Sequence, residues 1–342
     1  MTPVKPFLEH GQLIFNLRDC GVEIDDDSRA SIILQRFGYH RLSGYRYLFR
    51  EHLAADQQDH SARRFRSKRH IPGTRLTDIV KLMEFDAGLR SRVLQGTEDL
   101  EVRLRTAVAH AVARRDELGH LSITHLDRSQ CNKVPRYGTR TSHEIFVGKV
   151  RKETKRIVDD NDDFAVHHQS VYGTDLPVWA IVEHLPFDSL IHLLNYLKTE
   201  DKREVAEHFG VRHPKQFVKW IRAMLTLRNS AAHGVRLFNR PFKTAIVIPS
   251  NATLSPLLGP TRRFLDGPHD HERPHNRLYP QVAVLAYLLR CHPAGTDWHL
   301  RLKSTIGQMP WIQVGSDTQP LLSPRRNMAF PPDWDQQDLW NP

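Results

Sequence analysis

At 342 residues, 39% of them hydrophobic and 26% charged, the chain can bury the core of one large domain or two ordinary ones, which excludes a disordered polypeptide. Lysine and arginine number 49 against 39 acidic residues, a formal charge of +10 that suits a partner with a phosphate backbone or another anionic surface. The three cysteines, Cys20, Cys131 and Cys291, are scattered and odd in number, so neither a disulfide framework nor a zinc site is supported, and the apolar runs are too short to span a bilayer, so a soluble protein of cytoplasmic location is expected.

The first predicted helix follows the N-cap cluster Asp25-Asp26-Asp27, with Ala30, Ile33, Leu34 and Phe37 at helical spacing and Gly38 as its stop. Residues 38–50 interleave Tyr39, Tyr45, Tyr47 and Phe49 with Arg41, Arg46 and Arg50, and their two glycines predict a turn. Residues 77–115 carry helical periodicity through Leu82, Phe85, Leu89, Val93, Leu100, Leu104 and Val108, predicting a long helix broken near Gly96. Residues 116–143 lose the periodicity and predict a surface excursion before a basic helix over 144–158, with Lys149, Arg151, Lys152, Lys155 and Arg156 facing solvent at least in part.

Leu176-Pro177-Val178-Trp179 opens the next helical stretch, where Phe187, Leu190, Ile191, Leu194 and Leu197 form a core face. Pro214 suits the first turn of a helix whose buried face is Phe217, Trp220, Ile221, Met224, Leu227 and Ala231. Residues 241–280 are rich in proline, glycine and histidine, with one strand-like run at 245–248; helices return at 282–289 and 298–306. The fold class is therefore mostly α.

The helix starting at Pro214 ends in Leu227-Arg228-Asn229-Ser230-Ala231-Ala232-His233-Gly234. Arginine offers a permanent charge with a planar fork of donors suited to phosphate, and histidine can move a proton in either direction near neutrality, so the pair suggests phosphodiester chemistry. Asn229 and His233 share a helix face, whereas Arg228 lies about 140° round from His233 at about 100° per residue. Convergence needs a loosened helix end near Gly234, a long reach by Arg228, or a second copy of the site. The bland alternative lays Arg228 along Met224 and Leu227 and leaves His233 to cap the final turn.

An ordered set of motifs surrounds this pair. They are Gly38-Tyr39-His40-Arg41-Leu42-Ser43-Gly44-Tyr45, Glu84-Phe85-Asp86-Ala87-Gly88-Leu89-Arg90, Glu98-Asp99-Leu100-Glu101-Val102-Arg103-Leu104-Arg105, Leu176-Pro177-Val178-Trp179, the Arg228 to Arg240 segment, and Met328-Ala329-Phe330-Pro331-Pro332-Asp333-Trp334. With them the chain resembles, from about residue 10 to residue 340, the Abi-like (AbiD/AbiF) family of bacterial abortive-infection proteins. The resemblance implies a HEPN-like helical bundle with additional helices and long loops. Its expected parts are an N-terminal helical and basic/aromatic segment (1–75), a HEPN-like core (76–240) and a loop-rich C-terminal helical extension packed on that core (241–342). It also implies a metal-independent endoribonuclease of phage defence, distantly similar to the type VI CRISPR effector nucleases. Arg228 and His233 match the two fixed positions of the R-x4-6-H motif, and Asn229 matches the polar residue after the arginine; Ala231 and Ala232 are smaller than the pattern usually has.

On this view RNA is the substrate, a small structured RNA is a candidate regulator, and the protein is expected to act as a homodimer without cofactor or metal. Candidate RNA-binding residues are Tyr39, Arg41, Tyr45 and Arg46 in the aromatic segment, Arg63, Arg64, Arg66, Lys68 and Arg69 in the run 63–70, and Lys149, Arg151 and Lys152 in the basic helix. Ordinary packing of the tyrosines and a solvated basic loop are the alternatives. Glu98, Glu101, Arg103 and Arg105 are expected to form structural salt bridges, and His269, His271 and His275 a flexible loop and not a metal site. No phosphate-binding glycine loop is present. The competing functions are a non-catalytic RNA-binding scaffold of a defence ribonucleoprotein and a protein-binding antitoxin or sensor.

Overall fold

The computed structural model describes residue 4 and residues 6–59, 61, 64–249, 256–269 and 271–342. Among these residues there are fifteen α-helices and one two-stranded hairpin, the mostly α class that the periodicity predicts. None of the described helices is long and apolar enough to cross a membrane. The chain divides into two compact units, residues 1–89 with 304–327, and residues 90–303 with 328–342.

In the first unit, α1 (His10–Asp19) and α2 (Asp27–Phe37) pack together. The Asp26 side chain accepts hydrogen bonds from the Ser28 and Arg29 amides at 2.7 and 3.2 Å, which caps α2 as its aspartate cluster predicts. Gly38, at φ +74°, ends α2, and the chain turns there directly into α3 (Tyr39–Arg46). The turn expected across residues 38–50 is therefore confined to Gly38. Burial of Leu42, Tyr45 and Phe49 outweighs the roughly 1 kcal/mol that Gly44 costs inside a helix. A short hairpin follows, β1 (Arg50–His52) antiparallel to β2 (Arg66–His70), with Arg50 opposite His70 and His52 opposite Arg66.

The helix α4 (Leu76–Ala113) begins in the first unit and continues into the second without the expected break at Gly96. Gly96 is there for space: a Cβ would overlap the Trp298 indole, whose Nε1 donates to the Arg92 carbonyl at 2.8 Å. The second unit adds α5 (Arg128–Cys131), α6 (Ser142–Asp159), α7 (Asp163–Tyr172), α8 (Val178–His184), α9 (Phe187–Tyr196), α10 (Thr199–His208), α11 (Pro214–Ala232), α12 (Gly259–Asp266), α13 (Leu278–Cys291) and most of α14 (Trp298–Gly307). The last helix, α15 (Pro324–Met328), ends where the chain re-enters the second unit.

Every residue of α13 from Leu278 to Leu289 is buried, so this helix is apolar all round and forms the centre of the second unit. The strand-like run at 245–248 forms no strand. Ile246 and Ile248 are buried, and one main-chain bond with several side-chain bonds takes the place of a ladder: the Ile246 amide donates to the His275 carbonyl at 2.9 Å, the Val247 carbonyl accepts from Trp220 Nε1 and Gln216 Nε2, and His275 Nδ1 lies 2.8 Å from the Ile246 carbonyl. The loop-rich stretch 241–280 also holds α12, stitched to α13 by a 3.0 Å hydrogen bond between Thr261 and Tyr279.

His120, fully buried beside His143, is held down to about 4 by burial and is neutral in the folded protein. Two expectations follow for stability. Unfolding exposes a ring of ordinary pKa that takes up a proton, so stability is full above about pH 6.5 and falls as pH drops towards 4, by ~1.4 kcal/mol per pH unit for this group; urea unfolding at pH 7 and pH 5 should show a loss that His120→Leu reduces. Gly96→Ala should lower stability by ~1–3 kcal/mol through overpacking against Trp298, read as a lower thermal midpoint that Trp298→Ala partly masks.

Candidate functional site

Pro214 stands at the first turn of α11, and all six residues predicted for its buried face are buried. That face packs on α9, α10 and α13, and fixes the direction in which the last turn points. The helix ends at Ala232; His233 follows at φ −82°, ψ 11°, and Gly234 is left-handed at φ +65°. The Gly234 amide donates to the Ala231 carbonyl at 3.1 Å and the Val235 amide to the Ser230 carbonyl at 2.9 Å, a Schellman closure built from main chain alone. The terminal carbonyls are thus capped without the His233 side chain. Its imidazole is exposed and has no hydrogen-bond partner among the described residues.

Five residues earlier, Arg228 is held at two points. Its Nη1 donates to Asn229 Oδ1 at 3.2 Å, and its Nε lies 3.6 Å from Glu101 Oε2. The Arg228 side chain is 37% exposed and that of Glu101 10%, so a partly wet guanidinium is pinned by a nearly dry carboxylate. Glu101 also pairs with Arg105 one turn along α4, and Arg105 in turn donates to the Val182 carbonyl in α8.

The charged network expected on α4 is present with altered membership: Arg103 pairs with Asp99 at 2.7 Å and donates to the Leu289 and Gly295 carbonyls, and Glu98 takes no part. The network also reaches Arg228 of α11 through Glu101. The i, i+4 spacing of Glu101 and Arg105 signalled a pair on one helix but carried no sign that a third partner comes from α11. The geometry provides a fixed cation and an unbonded imidazole at one helix end, groups able to hold a phosphate and move a proton.

The residues expected to contact RNA are distributed over both units. In the first, Arg41, Arg64, Lys68 and Arg69 are exposed, and Tyr39 and Arg66 are half-buried; Arg63 lies outside the described residues. Tyr45 is 2% exposed and its hydroxyl donates to Asp86 at 2.6 Å, which leaves no ring face for a base. Arg46 is buried against Tyr39. In the second unit Lys149, Arg151 and Lys152 are exposed on α6, which starts from a capping box between Thr141 and Glu144.

His269 and His275 each meet a backbone carbonyl, those of Leu265 and Ile246, and no group of three potential metal ligands occurs among the described residues. Cys20, Cys131 and Cys291 are free, and burial pushes the Cys131 thiol up to about 11.

A family model described as Abi-like protein matches residues 32–239, more than half of the chain and including the whole of α11, Arg228 and His233. The C-terminal motif at 328–334 lies beyond the match. No curated protein and no solved structure matches the chain.

The network separates a structural cation from a surface one. Arg105→Ala leaves the buried Glu101 carboxylate only the more distant, partly exposed Arg228 and removes the donor to the Val182 carbonyl, and should cost ~3–5 kcal/mol, whereas Arg228→Ala, which leaves Glu101 its close partner Arg105, should cost at most about 1 kcal/mol. Urea unfolding followed by circular dichroism measures both; equal losses would contradict the arrangement described.

Proposed function

The chain belongs to the Abi-like family, whose name denotes abortive infection, a form of phage defence, and on that premise we propose that it is a metal-independent endoribonuclease of HEPN type. The observation that carries this reading is the end of α11, where main-chain amides do the capping and the His233 imidazole is left exposed and unbonded, one turn beyond an arginine fixed on Glu101.

In the proposed reaction His233 accepts the proton of an RNA 2′-hydroxyl, and the 2′-oxygen forms a bond to the adjacent phosphorus as the bond to the 5′-oxygen breaks. The products are a 2′,3′-cyclic phosphate and a 5′-hydroxyl. Arg228 stabilises the charge that develops on the non-bridging oxygens, and Asn229 steadies Arg228. Because positions 228 and 233 lie about 140° apart on an ideal helix, a second protomer is proposed to supply the histidine that protonates the leaving oxygen. Exposed Arg41, Arg64, Lys68 and Arg69 in one unit and Lys149 and Lys152 in the other are proposed to hold the RNA backbone, with a small structured RNA as a regulator that restrains the toxin.

The test is incubation of wild type and His233→Ala with end-labelled single-stranded RNA in EDTA. Wild type should cut and leave cyclic phosphate ends, His233→Ala should be slower by ~10²–10⁴-fold, and a 2′-deoxy nucleotide at the cut position should block the reaction. Cleavage that needs a metal ion, or that His233→Ala retains in full, overturns the mechanism. Tight RNA binding with no cleavage by the wild type would move the protein to the scaffold reading.

A further inference from the structure

The first unit gathers three arginines and a histidine around two tyrosines, with no carboxylate paired to any of them among the described residues. Arg50 stands opposite His70 in the hairpin. Arg46, at the end of α3, is near enough to both to depress their proton affinity, adding to the larger effect of burial. The Arg46 guanidinium lies 5.2 Å from the centre of the Tyr39 ring and donates to its hydroxyl at 3.0 Å. Tyr47 serves the other two, with Arg50 at 5.7 Å and Arg66 at 5.9 Å from its ring centre. Arg66 is bound by its Nη1 to the Leu48 and Arg50 carbonyls, which ties the hairpin to the segment after α3.

This cluster is electrically one-sided. Arg46 and His70 are 5% and 3% exposed, and Arg46 Nη1, Arg50 Nε and His70 Nε2 are buried atoms that meet no hydrogen-bond partner. His70 Nδ1 is committed to the Cys20 carbonyl at 2.8 Å. Ring faces attract cations only weakly compared with the cost of burying an unpaired charge. Three guanidiniums with a neutral histidine call for more than one negative charge. A phosphate monoester, with about −1.5 to −2 charges near pH 7, meets that demand, and its oxygens match the guanidinium fork.

We propose that Arg46, Arg50 and Arg66 form a binding site for a phosphate monoester group, with Arg46 and His70 as its floor, half-buried Arg50 and Arg66 at its mouth, and the rings of Tyr39 and Tyr47 as its walls. The group is the monoester phosphate of a mononucleotide or of the 5′ end of an RNA, and free inorganic phosphate, though not an ester, presents the same charge and oxygens. The site belongs to the first unit, whereas Arg228 and His233 belong to the second.

Thermal unfolding of the full chain at fixed ionic strength and pH 7.5 tests the site, with chloride exchanged for inorganic phosphate or for adenosine monophosphate. A few-fold excess over Kd should raise the wild-type midpoint by ~2–4 °C. Arg46→Gln and Arg50→Gln should lose the shift, and without phosphate their midpoints should equal or exceed that of the wild type because a like charge has been removed. A third arm, in the His233→Ala background so that cleavage plays no part, compares 5′-phosphorylated with 5′-hydroxyl single-stranded RNA. Preference of about tenfold for the phosphorylated RNA, abolished by Arg50→Gln, assigns the site to an RNA end; equal affinities with a shift by phosphate or the mononucleotide assign it to a small ligand. No response to any of these probes in the wild type, or the same response in both glutamine variants, overturns the proposal.

Discussion

A carboxylate buried in a long helix must be paired, and the way Glu101 is paired organises the second unit around the candidate site. Its oxygens hold Arg105 on the same helix and Arg228 on another, while Arg105 spends a further donor on a carbonyl of α8. Three helices are thereby tied through one acidic group whose removal leaves cations behind in a poorly hydrated place. Arg228 consequently emerges with its inner nitrogen occupied and part of its guanidinium in solvent. An arginine so held approaches an anion with less rotamer freedom to lose than one free on a surface.

The other half of the site rests on a different economy of hydrogen bonds. Helix ends leave carbonyls that need donors, and a basic side chain near the C-terminus commonly helps to meet them. Here Gly234 adopts a left-handed conformation and the amides of residues 234 and 235 close the helix. The capping explanation for His233 loses its force, because the work is already done by backbone. What remains is an exposed imidazole five residues after a pinned guanidinium in a chain of the Abi-like family.

Features governed by local rules were legible in the sequence. Asp26 before α2, Gly38 after it, Pro214 at the start of α11 and the spacing of Phe217, Trp220, Ile221, Met224 and Leu227 all act within a few residues of themselves, and the structure follows them. Features that depend on distant partners were not. Gly96 suggested a break because glycine weakens an isolated helix, but Trp298 needed that surface bare, and the partner is some two hundred positions away. Tyr45 looked available for stacking until α4 supplied Asp86 to its hydroxyl. The grouping of Arg46, Arg50, Arg66 and His70 likewise depends on hairpin register, which the 63–70 run does not announce. For the candidate site, Arg228, Asn229 and His233 could be named from the motif, but neither the Glu101 anchor nor the main-chain closure could.

The helix at the centre of the second unit has a consequence for how the protein comes into being. An element apolar on every side has no stable life in water, so α13 is held only once its neighbours enclose it. It also lies later in the chain than α11, whose inner face rests against it. During synthesis, the helix bearing Arg228 and His233 leaves the ribosome before its support does. A chain interrupted between residues 240 and 278 would carry the whole R-x4-H motif and yet lack the surface that orders it. For a protein proposed to harm its own cell, the expected consequence is that products truncated before α13 lack an ordered Arg228–His233 segment, so that competence waits on a helix lying wholly within the core.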